Sequence, residues 1–111
     1  QKEFRLRSTY VDKSGSDYHD PQWMNYNEIE LLSDQNQRII IKVNDSNKEF
    51  VESRFINQET SDDIIDTDQI LNFHNANRIR VYFKGKYLYE FDMTYEQFSA
   101  FREILANYDY I

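Results

Sequence analysis

The sequence contains no cysteine, one proline and two glycines among its 111 residues. The lack of cysteine excludes disulfides, thiolate metal ligands and a cysteine nucleophile. So few glycines and prolines exclude collagen-like and low-complexity chains, and two isolated glycines cannot build a phosphate-binding loop or a dinucleotide fingerprint. No apolar run approaches the roughly 18 residues that a membrane-spanning helix needs. We therefore expect neither membrane insertion nor a nucleotide cofactor.

Basic residues are scarce relative to acidic ones, since 13 Lys and Arg against 20 Asp and Glu give a net charge of -7. A general nucleic-acid binder needs a basic footprint, and docking on anionic lipid needs a basic surface, so neither is expected. Hydrophobic residues make up 40% of the chain and aromatic residues 16%, which is typical of a globular protein. The length fits a single domain over residues 1–111. The chain starts at Gln1 rather than Met, and this start favours an exported protein.

Alternating apolar and polar residues predict β-strands in the first half of the chain. The predicted strands are Glu3–Val11, Tyr26–Leu32, Arg38–Val43 and Lys48–Ile56. Pairing Leu31 with Ile39 also places Glu28 opposite Lys42, so the apolar face and the charge pair agree on one register. The acidic stretch that follows, Gln58 to Asp68, is predicted to be a loop.

The sequence of the second half of the chain predicts a β-hairpin. Its two predicted strands are Arg78–Lys84 and Tyr87–Met93. A three-residue loop from Lys84 to Lys86 pairs Phe83 with Tyr87 and places Arg80 opposite Glu90, which sorts both faces of the hairpin. Before the hairpin, residues 61–77 fit either a short helix after Ser61 or a loop that plugs the sheet.

An amphipathic helix is predicted after the hairpin. Thr94 is a good N-cap residue, and Gln97 stands where a capping box requires Glu or Gln. Apolar residues then recur at helical spacing, which predicts one buried stripe. They are Phe98, Phe101, Leu105 and Tyr108, with Ile104 beside them.

The order of these elements resembles the pleckstrin-homology-like superfold, in which a bent antiparallel sheet is capped by the last helix. The predicted fold class is therefore α+β, mainly β: one bent antiparallel sheet of six or seven strands with a C-terminal amphipathic helix. The first long loop carries three aspartates against Lys13 alone, so the resemblance does not imply phosphoinositide binding. It implies a scaffold that commonly binds peptides or proteins.

Two groups of residues are predicted to bind a partner. Aromatic residues gather in and after the first long loop, where large rings are typical of interface hot spots; they are Tyr18, His19, Trp23 and Tyr26. The alternative for Trp23 and Tyr26 is that they are core aromatics that close one end of the sheet. The second group is an acidic cluster suited to a basic partner: Glu59, Asp62, Asp63, Asp66 and Asp68. This cluster is alternatively a solvated loop, a cation site, or a segment that packs beside the basic hairpin at 78–86.

No metal or catalytic motif is complete in the sequence. Residues 45–49 begin like a calcium loop, but Phe50 replaces the required glycine and Ile56 the bidentate glutamate. His19 and His74 are too far apart for a zinc motif. We therefore expect no metal and no other cofactor.

The composition and the predicted sites favour a non-catalytic, small acidic protein-binding module, such as an inhibitor, an immunity-type protein or an adaptor. An exported β-scaffold that binds a small molecule is the first alternative, motivated by inward-facing Tyr87 and Tyr89. An enzyme that uses His19 with Asp17 or Asp20 is the second. An acidic mimic of nucleic acid is the third.

Overall fold

A computed structural model describes residues 4–13, 15, 22–44 and 46–109. These residues form seven strands and two α-helices. The strands are β1 (Phe4–Asp12), β2 (Glu28–Ser33), β3 (Arg38–Lys42), β4 (Asn47–Val51), β5 (Ile56–Ile65), β6 (Ile79–Lys84) and β7 (Leu88–Asp92). The helices are α1 (Thr67–Leu71) and α2 (Tyr95–Asp109), and a 3-10 turn at Glu52–Arg54 separates β4 from β5. The α+β, mainly β prediction is therefore correct.

The strands form two antiparallel sheets rather than one. The first sheet has the order β1-β5-β4 and the second has the order β3-β2-β6-β7. The predicted single bent sheet is wrong because the chain leaves the second sheet after β3 and continues into a separate sheet. The second sheet presents an inner row of apolar side chains, and the first sheet helps to cover that row. In the described residues, no helix is long and apolar enough to cross a membrane.

The core lies between the inner face of the second sheet, the segment before β2, and the two helices. It contains Met24, Tyr26, Ile29, Leu31, Ile39, Ile41, Val43, Ile65, Ile70, Phe73, Ala76, Ile79, Val81, Phe83 and Phe101. Seven of these fifteen residues belong to β2, β3 and β6, where inward apolar residues alternate with residues that point outward. The second sheet is therefore the largest single contributor to the core.

The predicted register of β2 on β3 is confirmed. Leu31 lies opposite Ile39 and Glu28 lies opposite Lys42. The Lys42 ammonium is 3.4 Å from a Glu28 carboxylate oxygen on the outer face of the sheet. The alternation of the sequence was sufficient here because a one-residue slip would turn every apolar side chain to the solvent.

The β6–β7 hairpin exists, and its loop has three residues, but the predicted register is wrong by two positions. Phe83 pairs with Tyr89 instead of Tyr87, and Arg80 pairs with Asp92 instead of Glu90. The loop therefore begins at Gly85. A shift of two positions keeps every side chain on its predicted face, so the alternation of the sequence could not distinguish the two registers.

Most of the acidic stretch, residues 58–65, is a strand and not a loop. β5 is the central strand of the first sheet, paired with β1 on one side and with β4 on the other. The predicted strand Lys48–Ile56 is interrupted, because the 3-10 turn and the left-handed Phe55, with φ of 52°, reverse the chain. Composition misled the prediction because pairing on both edges overrides the weak intrinsic preference of polar residues.

The two helices lie close to the positions that the sequence predicts for them. After β5, α1 begins at Thr67 with Asp66 as its N-cap, so residues 61–77 contain a strand end, a short helix and turns. The capping box of α2 is confirmed: the Thr94 amide donates to Gln97 Oε1 at 3.0 Å, and the Gln97 amide donates to Thr94 Oγ1 at 3.1 Å. Phe101 is buried and Phe98 is half-buried. The side chains of Ile104, Leu105 and Tyr108 lie outside those that are described.

Candidate functional site

The predicted aromatic cluster is divided by the structure. Tyr18 and His19 lie outside the described residues, so their predicted role stays a prediction. Trp23 is half-buried. Tyr26 is only 3% exposed, and its ring stacks on Phe83 with centroids 5.0 Å apart and planes 11° apart. Its position is that of the core aromatic that the sequence also allowed.

The hydroxyl of Tyr26 joins a buried hydrogen-bond network on the first sheet. It lies 3.1 Å from Ser61 Oγ on β5 and 3.2 Å from Ser8 Oγ on β1, and the two serine oxygens are 2.8 Å apart. Each hydroxyl is a donor and an acceptor, so the three groups satisfy one another away from water. This network ties the segment before β2 to both β1 and β5.

Glu59 belongs to the same structural junction. Its side chain is 1% exposed, and its two carboxylate oxygens accept the backbone amides of Met24 and Asn25, each at 2.7 Å. Asn25 adopts a left-handed φ of 52°, which aims two successive amides at one carboxylate. Glu59 therefore clamps the segment before β2, and its burial removes it from the surface that a basic partner would contact.

The same segment is held from its other side by the β6–β7 loop. The Lys86 amide donates to the Met24 carbonyl at 2.8 Å. A Cβ atom on Gly85 would lie 2.6 Å from that carbonyl and 2.7 Å from Tyr26 Cα. Only glycine permits this close approach of two backbones, and the contact accounts for the observed start of the loop.

The other acids of the predicted cluster do not converge. Asp62, Asp66 and Asp68 are exposed, while Asp63 is half-buried. Asp66 caps α1 by accepting the Asp68 amide at 3.0 Å. In the described part of the chain, no three His, Cys, Asp or Glu residues are grouped closely enough to hold a metal ion.

Basic residues of the hairpin form ion pairs with acidic residues that lie outside the predicted acidic cluster. Arg80 contacts Glu90 at 3.1 Å and Asp92 at 3.0 Å on the neighbouring strand. Lys84 lies 2.7 Å from Glu30 on β2, and this hydrogen bond raises the pKa of Lys84. The described ion pairs of Arg80 and Lys84 therefore join the hairpin to β2 and to itself, and the packing of the acidic cluster beside the hairpin stays a prediction.

An apolar opening lies between β1 and β7, which are edge strands of different sheets. A deep cavity of about 290 Å³ extends from β1 to α2 and is lined by Arg5, Leu6, Arg7, Ser8, Thr9, Leu31, Val81, Phe83, Phe91, Met93, Gln97, Ala100 and Phe101. An outer cavity of about 470 Å³ is lined by Thr9, Tyr10, Val11, Lys13, Phe83, Tyr89 and Phe91. Thr9, Phe83 and Phe91 line both, so the two cavities form one groove, which we call the β1–β7 groove.

Aromatic rings form the floor of the groove at its outer end. Tyr10 contacts Tyr89 edge-on, with centroids 5.4 Å apart, and contacts Phe83 at 6.1 Å. Burial raises the pKa of Tyr10, and the charge of Asp12 raises it further, so the phenol stays a neutral hydrogen-bonding group at neutral pH. Adjacent aromatic rings with a polar tip are suited to a ligand that is apolar with some polar groups.

Charged side chains line the groove along β1. Among the described residues that line the two cavities, the charged ones are Arg5, Arg7 and Lys13, and all belong to β1 or to its end. The lining of the groove is thus basic although the chain carries a net charge of -7. The groove therefore combines an apolar interior with a cationic edge.

Comparisons with known proteins identify no family for this chain. No family model matches the chain. No curated protein matches it. No solved structure matches it. The resemblance to the pleckstrin-homology-like superfold stays a prediction.

The sequence pointed to this groove only in part. Tyr89 was expected to face inward and does line the outer cavity, whereas Tyr87 is 49% exposed and lines neither cavity. Leu6, Phe91 and Met93 were not expected at a site because each looked like an ordinary core position. The groove arises from two strand edges that lie far apart in the chain, and no local pattern encodes that arrangement.

Proposed function

We propose that this protein is a non-catalytic protein-binding module whose contact site is the β1–β7 groove. The observation that carries the proposal is an apolar groove that opens between two sheet edges. The charged residues described along its lining are all basic. Concave apolar sites with a few polar groups at the rim are typical of ligand recognition. An inhibitor, an immunity-type protein and an adaptor would each use such a surface.

Exposed apolar side chains extend the groove at its outer end. Val11 is 37% exposed and Tyr89 is 46% exposed, and both line the outer cavity. Tyr87, two residues before Tyr89 on the same hairpin, is 49% exposed. An apolar patch that continues a concave site supports recognition of a protein, since buried aromatic residues dominate the energy of protein interfaces.

A filled groove is the direct test. Ala100 and the adjacent Ser99 are both exposed on α2, but Ala100 lines the deep cavity and Ser99 lines neither cavity. The variant Ala100→Phe is expected to obstruct the cavity, and Ser99→Phe adds the same ring beside it as a matched control. Each is used as bait in native lysate at low and high salt, together with the unmodified protein, and captured proteins are quantified by mass spectrometry.

One stoichiometric protein that is retained by Ser99→Phe and lost by Ala100→Phe supports the proposal. Equal capture by both variants, or no stoichiometric protein with any bait, contradicts it. Unfolding curves of both variants exclude loss of the fold as the cause.

A small apolar molecule is the second candidate ligand for the same groove. The deep cavity of about 290 Å³ stands at the lower end of the roughly 300–1,000 Å³ that small-molecule sites occupy. Native mass spectrometry of the protein purified from its own cells distinguishes this function. A bound small molecule that Ala100→Phe displaces and Ser99→Phe retains would favour it.

A further inference from the structure

The β1–β7 groove opens along the edge of β1 and not on one face of that strand. Side chains of a strand alternate between its two faces, so a cavity on one face is lined by every second residue. The deep and outer cavities together are lined by residues 5–11 of β1 without a gap. The groove therefore reaches the strand where its backbone amide and carbonyl groups lie.

This edge of β1 has capacity for another strand. β1 pairs with β5 over all nine of its residues, from Phe4 opposite Ile65 to Asp12 opposite Asn57. In the described part of the chain, β5 is the one strand that pairs with β1, and β6 is the one that pairs with β7. In an antiparallel strand, alternate residues direct their N–H and C=O groups away from the partner. Such an edge is a template for an extended segment of another chain.

The interior of the groove selects the side chains of one face of an added strand. Side chains that point from β1 toward the second sheet meet Phe83, Phe91 and Met93. An added strand continues the pleat of β1, so every second residue of it would enter this apolar space. Those positions call for apolar residues.

The basic residues at the rim of the groove determine which side chains are favoured on the opposite face of the added strand. Arg7 is exposed and has Asp62 as its cross-strand neighbour on β5, which leaves its other side open to the added strand. Arg5 and Lys13 also line the groove. Opposite charges on adjacent strands stabilise pairing, whereas like charges oppose it. The outward positions of the added strand therefore call for Asp or Glu.

We propose, on the basis of the function proposed above, that an extended segment of a partner protein with alternating apolar and acidic residues adds as a strand to the free edge of β1. Its backbone hydrogen bonds to β1, its apolar side chains fill the β1–β7 groove, and its carboxylates face the basic rim. The chain of net charge -7 thus recognises an acidic segment through the basic residues along the edge of β1.

The probe is a capped nine-residue peptide of alternating glutamate and valine, titrated into the isotopically labelled protein. Amide exchange of Leu6 to Val11 is followed by NMR. We expect saturable binding and about tenfold or greater protection of alternate amides in this range, since only those on the free edge gain partners. Three comparison probes are the lysine–valine peptide, the N-methylated glutamate–valine peptide and a fatty acid.

Two charge-reversal variants assign the contribution of the rim. Arg7→Glu is expected to weaken binding of the glutamate–valine peptide about fivefold or more, because an attractive cross-strand pair becomes repulsive. Arg54→Glu changes an exposed arginine on the 3-10 turn, which lines neither cavity, and should leave binding within about twofold. The unfolding curve of each variant verifies its fold.

The outcomes separate this proposal from the function on which it rests. Equal binding of the N-methylated peptide overturns strand addition, and equal binding of the lysine–valine peptide overturns the requirement for acidic residues, although binding in the groove would stand in both cases. Preference for the fatty acid, with no protection of β1, replaces the peptide by an apolar small molecule. Sedimentation that shows a dimer dissociated by Arg7→Glu assigns the edge to a second copy and overturns the proposal. No saturable binding of the glutamate–valine peptide up to about 1 mM also overturns it.

Discussion

Removal of the Glu59 carboxylate should be among the most destabilising single changes in this protein. The side chain is 1% exposed, and its two oxygens accept the amides of Met24 and Asn25 at 2.7 Å. Glu59→Gln keeps the shape of the side chain but turns an NH2 group toward one of the two amides. That amide loses its acceptor in a buried site where water cannot replace it.

The magnitude follows from the number of hydrogen bonds that are lost. A hydrogen bond to a charged group contributes about 1.5–3 kcal/mol, and an unsatisfied buried donor costs about 1–3 kcal/mol. We expect Glu59→Gln to lower the free energy of unfolding by about 2–3 kcal/mol. Glu59→Ala leaves both amides without an acceptor and opens a void, so it should cost about 4 kcal/mol or more. Domains of this size are stable by only about 5–15 kcal/mol.

Urea unfolding measured by tryptophan fluorescence is the appropriate assay. Trp23 is the one tryptophan and immediately precedes Met24, so its emission reports on the clamped segment. With a typical slope of about 1–3 kcal/mol per molar urea, Glu59→Gln should lower the midpoint by roughly 1–2 M. Glu49→Gln, at an exposed position on β4, is the matched control and should stay within about 0.5 kcal/mol of the unmodified protein.

An unchanged midpoint for Glu59→Gln would refute the reasoning, because it would mean that the two amides find water or another acceptor. A reversed order, with Glu59→Ala more stable than Glu59→Gln, would refute it as well. In that case the buried charge would be a net cost rather than a clamp.

Three further changes test other contacts of the fold. Gly85→Ala should lower stability by about 1–3 kcal/mol, because the added Cβ would lie 2.6 Å from the Met24 carbonyl; thermal unfolding measures this. Asp34 accepts the amides of residues 77 and 78, and the first of these bonds lowers the pKa of Asp34 below the usual value of an aspartate. Because the pKa is lowered in the folded state, the carboxylate contributes stability above about pH 4, and this stability is lost as the pH falls through the folded-state pKa. Asp34→Asn should therefore be less stable than the unmodified protein at pH 7, and the difference should disappear in acid. Thr94→Ala removes the acceptor of the Gln97 amide and should cost about 1 kcal/mol in denaturant unfolding.

Each of these three predictions has a contradicting outcome. Lys86→Ala provides the loop control for Gly85→Ala, and equal stability of the two would show that no close contact exists. A stability difference that stays constant from pH 7 to acid would contradict the role given to the Asp34 carboxylate. Ser99→Ala, on the exposed side of α2, is the comparison for Thr94→Ala, and an equal effect of both would deny the capping box.

The sequence by itself determined the parts of the fold that depend on close neighbours in the chain. The register of β2 on β3 followed from the alternation of apolar and charged residues, because the short loop leaves few alternatives. The start of α2 followed from Thr94 and Gln97, which are three residues apart and whose side chains each accept the amide of the other.

The tertiary structure decided what these local patterns leave open. Residues 56–65 have the composition of an acidic loop, yet they form the central strand of the first sheet because β1 and β4 pair with both edges. The start of the β6–β7 loop depends on Gly85 against the segment before β2, which lies 60 positions earlier in the chain. Each of these features requires a contact between distant residues.

The candidate site divides in the same way. The sequence identified residues with the chemistry of recognition, but burial converted two of them, Tyr26 and Glu59, into structural groups. The β1–β7 groove has no local signature, because a groove is the space between two strands and each strand is specified by its own neighbours. The sequence determined which strands and helices form and which of their faces are apolar; only the packing of two sheets decided which strand edge and which apolar residues remain open to a partner.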